Sequence, residues 1–161
     1  MSTRGNRGPY LKTSNYCGQP KRLKVANLSH HKDLLKTAFP GLCDNQVVMK
    51  YRFVVVQGVH YSRQNAFVLS FENNIPLLGE IAAIYGHQKN IVFIYTKLLT
   101  EEFLLSLNAY KVKHQEELGV APTSVIIHHR RIPYVKSVGG HYVLIPFKSY
   151  IADEVKLLLP S

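Results

Sequence analysis

Two groups of cationic side chains are the residues of this chain best suited to contacting another molecule. The segment His128–Lys136 combines two His, two Arg and a Tyr. Arg and His bind phosphate and Tyr stacks on bases, so Arg130 and Arg131 are candidates for nucleic-acid contact. Lys111 and Lys113, which point outward on a predicted strand, are further candidates. A charged loop between strands, with no ligand, is the alternative interpretation.

A third basic cluster follows Pro20 near the start of the chain. Its cations are Lys21, Arg22 and Lys24. They are candidates for phosphate contact, and they also resemble a nuclear-import signal, which must be extended and exposed to be read. A solvated run of charge is the alternative.

The distribution of charge divides the chain into two parts. The first acid is Asp33, and the 32 residues before it carry seven of the 20 Lys and Arg. The remaining 129 residues hold 13 basic against 10 acidic side chains, so most of the net charge of +10 lies at the N-terminus. This pattern favours a polyanion such as DNA or RNA as partner. A membrane is not expected, because the basic segment lacks a large apolar face.

No constellation of residues predicts catalysis, a metal or a cofactor. The eight His include the adjacent pairs His30-His31 and His128-His129, and neighbours in a strand point to opposite faces. No Cys or carboxylate set completes a metal site. A nucleophile elbow and a phosphate-binding glycine motif are both missing from the sequence. We therefore expect a protein that is not an enzyme and that uses no cofactor.

The periodicity of the body predicts a mainly β fold. Short β-branched and aromatic runs alternate with turn signals, which is typical of a small barrel or a curled antiparallel sheet. The expected domains are a basic, mostly disordered arm over 1–45 and a β-barrel-like domain over 46–161. One or two short helices are predicted, at 29–37 with Ser29 as N-cap, and at Thr100–Leu105. Residues 115–123 are predicted to form a loop.

Cellular location is predicted from what the sequence lacks. It has no secretory signal and no apolar run long enough to cross a membrane. Cys17 and Cys43 match no zinc spacing and are expected to be free thiols. We expect an intracellular protein, and a nuclear one if the import signal is used.

The body also resembles a domain of uncharacterised vertebrate proteins, chiefly from fish, that look derived from transposable elements. The resemblance covers about residues 50–146 and rests on hydrophobic spacing, a Pro-x-x-Gly and an Ala-Tyr-x-Val. The residues that carry it are Val54–Tyr61, Ile75–Ile81, Ile84, Phe93, Leu98, Thr100, Phe103, Asn108–Val112 and Gly140–Leu144. The strand spacing is similar to Tudor-like and BAH-like chromatin modules at the level of fold alone. The resemblance implies an origin but no activity and no site residue.

Together these observations predict a non-enzymatic accessory module associated with nucleic acid or chromatin, of transposable-element origin. The alternative is a protein-interaction module that binds a peptide in a barrel groove or at an edge strand. A folded remnant without activity of its own is a third interpretation.

Overall fold

The computed structural model describes residues 16–18, 20–73, 75–126, 132–137 and 140–144. The fold is mainly β and antiparallel, with one short α-helix, as predicted. The strands are β1 (Tyr16–Gly18), β2 (Lys21–Lys24), β3 (Val47–Tyr51), β4 (Phe53–Val56), β5 (Val59–Ser62), β6 (Ala66–Glu72), β7 (Ile75–His87), β8 (Asn90–Leu104), β9 (Ala109–Pro122), β10 (Tyr134–Ser137) and β11 (Gly140–Leu144). Helix α1 spans Lys32–Ala38, and 3₁₀ turns cover Val25–Asn27, Ser29–His31 and Thr123–Val125.

The strands form one large sheet and one small sheet. The large sheet has the order β10-β11-β9-β8-β7-β3-β2, and the small sheet has the order β1-β4-β5. Strand β7 is the centre of the large sheet, because β8 pairs along one of its edges while β6 and β3 share the other. No strand pairs with the part of that second edge that lies between β6 and β3. A turn occupies this gap, and the site described below lies beside it.

The large sheet is curled but not closed into a barrel over the residues that the structure describes. A single bridge joins Ala66 at the start of β6 to Ile132 just before β10. Closure fails because this isolated bridge is the only pairing that the described residues make between the β6 and β10 edges of the sheet. Of the two predicted forms, the curled sheet is therefore correct and the closed barrel is wrong.

The core has two faces because the central strands are covered on both sides. On β8, Val92 and Ile94 pack with Leu35 of α1, whereas Phe93 and Tyr95 pack with Tyr61 of the small sheet. Strands buried on both faces have continuous apolar runs rather than alternating ones. This is why residues 91–95 form a continuous apolar run.

Residues 20–45, which we predicted to be part of a disordered arm, belong to the folded body. Strand β2 pairs with β3, and Val25, Leu35 and Phe39 are buried in the core. The prediction failed because the high charge of this segment conceals widely spaced apolar residues that cover one face of the sheet. The helix predicted at 29–37 is present as a 3₁₀ turn followed by α1, although Ser29 makes no capping hydrogen bond.

Two local predictions are wrong for the same reason. Thr100–Leu105 was expected to be helical, yet β8 continues to Leu104. Residues 115–123 were expected to form a loop, yet β9 continues to Pro122. The two segments belong to strands that pair with each other with two register shifts, and this pairing overrides the local helix and loop preferences. No helix among the described residues is long and apolar enough to cross a membrane.

Candidate functional site

A basic groove opens beside the gap in the edge of β7. Its cavity is about 580 Å³, and it is lined by four cations and by no Asp or Glu among the described residues. We call this cavity the basic groove, and its cations are Lys21, Lys50, Arg52 and Arg63. All four side chains belong to exposed residues. The cations come from β2, β3, the end of β3 and the β5–β6 turn, so the fold collects them from separate parts of the chain.

The floor of the basic groove follows from where β3 ends. Strand β3 pairs with β7 as far as Tyr51, opposite Ile84. The Arg52 amide then donates to the Gly18 carbonyl at 3.2 Å, so the chain leaves the large sheet and joins the small one. Small side chains at Ala82 and Ala83 line the cavity where no strand covers β7.

The opposite wall is a turn fixed against the edge of β7. The Gln64 amide donates to the Ile81 carbonyl at 2.8 Å, and the Ile81 amide donates to the Asn65 carbonyl at 2.9 Å. Asn65 also stabilises the turn, because its Oδ1 accepts from the Ser62 amide at 2.8 Å. These bonds hold Arg63 at the rim of the basic groove on rigid backbone.

Lys21 and Lys50 are directly opposed across β2 and β3. Like charges in such a pair destabilise a sheet unless a counter-charge lies between them. The Lys50 ammonium lies 5.9 Å from the centre of the Tyr85 ring, which compensates part of this repulsion. Neither lysine has an ion-pair partner among the described residues. An anion in the basic groove would supply the missing counter-charge.

A histidine lies next to this pair. His31 Nδ1 is 2.8 Å from the Tyr85 hydroxyl, which joins the turn before α1 to β7. The pKa of His31 is lowered, mainly by burial and further by the charges of His30 and Lys50. Burial raises the pKa of Tyr85 to about 12. His31 is therefore held in its neutral form near neutral pH.

Those candidates from the sequence that the structure describes are not brought together. Lys21 lines the basic groove, and Arg22 and Lys24 are exposed on the same edge strand. Because side chains alternate along a strand, Arg22 and Lys24 lie on the face opposite to Lys21. The predicted import signal is thus exposed, but its backbone is already paired with β3.

Lys111 and Lys113 lie far from the basic groove on β9. In register, Lys113 is opposite Leu99 of β8, whereas the row that contains Lys21 reaches β8 at Val92. Seven residues of strand separate the two rows by about 23 Å. Lys111 is also paired with Glu102, so this part of the sheet is not a purely positive surface. Arg130 and Arg131 lie outside the described residues.

The candidates predicted from the sequence did not include Lys50, Arg52 or Arg63. The only indication of these residues in the sequence was the run Lys50-Tyr51-Arg52, in which one cation precedes and one follows an aromatic residue of a strand. Arg63 carried no signal, because its proximity to Lys21 depends on the sheet topology. Among the described residues there is also no group of three or more His, Cys, Asp or Glu placed to hold a metal ion.

A second polar cluster lies inside the curl of the large sheet. Glu80 of β7 is 6% exposed and accepts hydrogen bonds from His114 Nε2 and, at 2.8 Å, from Lys136 Nζ. Burial alone would raise the pKa of Glu80, but the hydrogen bonds from Lys136, His114 and Tyr134 outweigh burial and lower it. Burial and the Glu80 charge raise the pKa of Tyr134. Since its partners satisfy the carboxylate and come from β9 and β10, we interpret the cluster as a structural tie.

Comparison of the chain with protein-family models, with curated proteins and with solved structures finds no match.

Proposed function

We propose that this protein is a non-enzymatic accessory module that binds nucleic acid, with the phosphates held in the basic groove. The observation that carries the proposal is the convergence of four cations from separate segments on one cavity whose described lining contains no acid. The directly opposed Lys21 and Lys50 repel each other, and no Asp or Glu among the described lining residues offsets this repulsion. Arg52 and Arg63 are suited to bidentate contact with phosphate, and the two lysines act as point charges.

Charge outside the basic groove supports a polymeric ligand rather than a small anion. Arg22 and Lys24 add positive charge on the other face of the edge strand β2. Residues 1–15 add Arg4, Arg7 and Lys12 without any acid. A chain of phosphates can contact such separated charges at once, and each contact adds to a salt-dependent affinity.

Location and origin remain part of the proposal. Nuclear import through Lys21, Arg22 and Lys24 would require the receptor to read an edge strand that is already paired with β3. We therefore expect a fluorescent fusion of the chain to accumulate in the nucleus only if the receptor can recognise these three side chains without unpairing the strand. Replacing all three by Gln then abolishes nuclear accumulation, and unchanged accumulation would exclude this signal.

The relation to transposon-derived vertebrate proteins and to chromatin modules is likewise a proposal.

A peptide-binding module is the second candidate, supported by the open edges of the fold. β5 ends the small sheet and, within the described residues, carries no further strand. An extended peptide could add to this edge. Partners recovered with the full chain that survive nuclease and high salt would favour this candidate, whereas partners lost under both treatments would favour nucleic acid.

The proposal is tested by neutralising the basic groove. The variant Lys50→Gln/Arg63→Gln removes two charges, and Lys111→Gln/Lys113→Gln is the matched control. Fluorescence anisotropy with labelled DNA and RNA at low salt should show affinity weakened about 100-fold or more in the groove variant, because each of the two lost hydrogen bonds to charged groups is worth about 1.5 kcal/mol or more. The control should bind like the wild type. Equal affinity of all three proteins, or no binding by any, would refute the proposal.

A further inference from the structure

A second cavity adjoins the basic groove, and the two share Gln64 in their walls. This cavity is about 430 Å³, within the usual size of a small-molecule site. We call it the neutral pocket, because none of its described lining residues is Asp, Glu, Lys or Arg. Its lining includes His60, Tyr61, Asn65 and Tyr134. A cationic cavity and an uncharged aromatic one therefore lie on either side of a single side chain.

The neutral pocket is lined by His60, whose aromatic ring is held in a fixed orientation by stacking. The His60 imidazole stacks on the Phe53 ring, with centroids 4.8 Å apart and planes at 18°. His60 is exposed and makes no hydrogen bond with a described residue. An imidazole held in this way can stack or hydrogen-bond with a planar ligand without first being ordered.

Amide groups in the same pocket can hydrogen-bond the edge of a ring. The Gln64 side chain is exposed and has no hydrogen-bond partner among the described residues. Asn65 uses its Oδ1 within the turn, which leaves its amide nitrogen without a described partner. An amide supplies both donors and acceptors, which matches the mixed edges of nucleobases. The chemistry of the neutral pocket thus fits a base, and that of the basic groove fits a phosphate.

We infer that the site takes single-stranded nucleic acid, with phosphates in the basic groove and one unpaired base in the neutral pocket beyond Gln64. The inference rests on the proposed function and narrows it. In a duplex the base edges are paired and the faces are stacked, so a base cannot leave the helix without an unpairing cost of a few kcal/mol. Only an unpaired strand can fill both cavities without this cost.

The test uses the full chain and three labelled oligonucleotides of equal length, about 12 nucleotides, the scale of single-strand sites. They are a single strand, the same sequence as a blunt duplex, and a single strand in which abasic residues replace the nucleotides. We expect the single strand to bind about 10-fold more tightly than either of the others, because one stacked base is worth about 1–3 kcal/mol.

The matched variants are His60→Ala, in the neutral pocket, and His30→Ala, an exposed histidine that lines neither cavity. His60→Ala should weaken single-strand binding about 5-fold or more and leave duplex and abasic binding unchanged. His30→Ala should change none of the three affinities. Gln64→Gly adds a check without strain, because Gln64 has a φ of 76° that glycine adopts freely. It should also weaken only single-strand binding.

The outcomes separate this inference from the proposed function. Equal affinity for the single strand, duplex and abasic strand would overturn the inference and leave the proposed function intact. A His60→Ala effect of equal size on all three would also overturn it. No binding to any of the three would refute the proposed function, and the inference with it.

Discussion

Glu80 is the position at which one substitution should most clearly weaken the fold without creating a cavity. Glu80→Gln keeps the size of the side chain and one carbonyl acceptor, but it removes the charged acceptor of the hydrogen bonds from His114, Lys136 and Tyr134. Hydrogen bonds to a charged group contribute about 1 kcal/mol more than neutral ones. Because His114 and Lys136 are 40% and 38% exposed, water compensates part of the loss. We therefore expect Glu80→Gln to lower the free energy of unfolding by about 2 kcal/mol.

Thermal unfolding followed by circular dichroism measures this effect. For a chain of this length, about 2 kcal/mol corresponds to a fall in Tm of about 6 °C near neutral pH. Lys136→Met should cost less, about 1 kcal/mol, because its side chain is more exposed. The double variant should cost less than the sum of the two single changes, since the same bond is removed twice.

The pH dependence separates the charge from the shape of the side chain. The pKa of Glu80 is lowered in the folded protein from an ordinary value of 4.5. Its stabilising effect is therefore complete above the unfolded pKa and is lost as the pH falls through the folded pKa. The difference between wild type and Glu80→Gln should shrink in acid, where both side chains are neutral. A Tm difference under about 2 °C at neutral pH, or one that does not change in acid, would refute this reasoning.

Three further predictions follow from the packing. Deleting residues 1–45 removes β1, β2 and α1 and should abolish the folded state in a thermal melt; a stably folded product would show that these elements are dispensable. Gly119→Ala should lower the free energy of unfolding by about 1–3 kcal/mol in denaturant titration, because a Cβ at Gly119 would lie 2.6 Å from the Tyr95 ring, and unchanged stability would show that this ring can move. The pKa of His31 is lowered from 6.5 on folding, so the stabilisation by neutral His31 is complete above that value and is lost as the pH falls. Between about pH 7 and 5.5, the Tm of the wild type should therefore fall more than the Tm of His31→Gln. Equal falls in Tm would contradict this prediction.

The strands could be predicted because their local pattern and their tertiary environment agree. Residues 91–95 are β-branched or aromatic and lie in a strand buried on both faces. The prediction failed where the two disagree. Thr100–Leu105 has acids and a Thr in helix-start positions, but pairing with β9 extends this segment as a strand. The charge of residues 20–45 predicted that they belong to the arm. Burial of Val25 and Leu35 in the core instead holds this segment against the sheet.

The basic groove could be predicted only in part because it depends on topology. Lys21 was identified from its cluster, but its nearest cation across the sheet, Lys50, is 29 residues away in the chain. Arg63 reaches the groove because the β5–β6 turn bonds to β7 at Ile81. No local pattern encodes that contact. The role of Glu80 could not be predicted for a similar reason, because an isolated acid in a strand does not indicate hydrogen-bond partners on β9 and β10.

The dependence of binding on salt tests the central claim most directly. The measurement is the slope of log affinity against log salt concentration for single-stranded nucleic acid, made with wild type, Lys50→Gln/Arg63→Gln and Lys111→Gln/Lys113→Gln. Each phosphate contact contributes about −0.7 to this slope for a single strand, so the groove variant should be shallower than wild type by about 1.4. The control should keep the wild-type slope. An unchanged slope in the groove variant, or a shallower slope in the control alone, would show that phosphates are bound elsewhere.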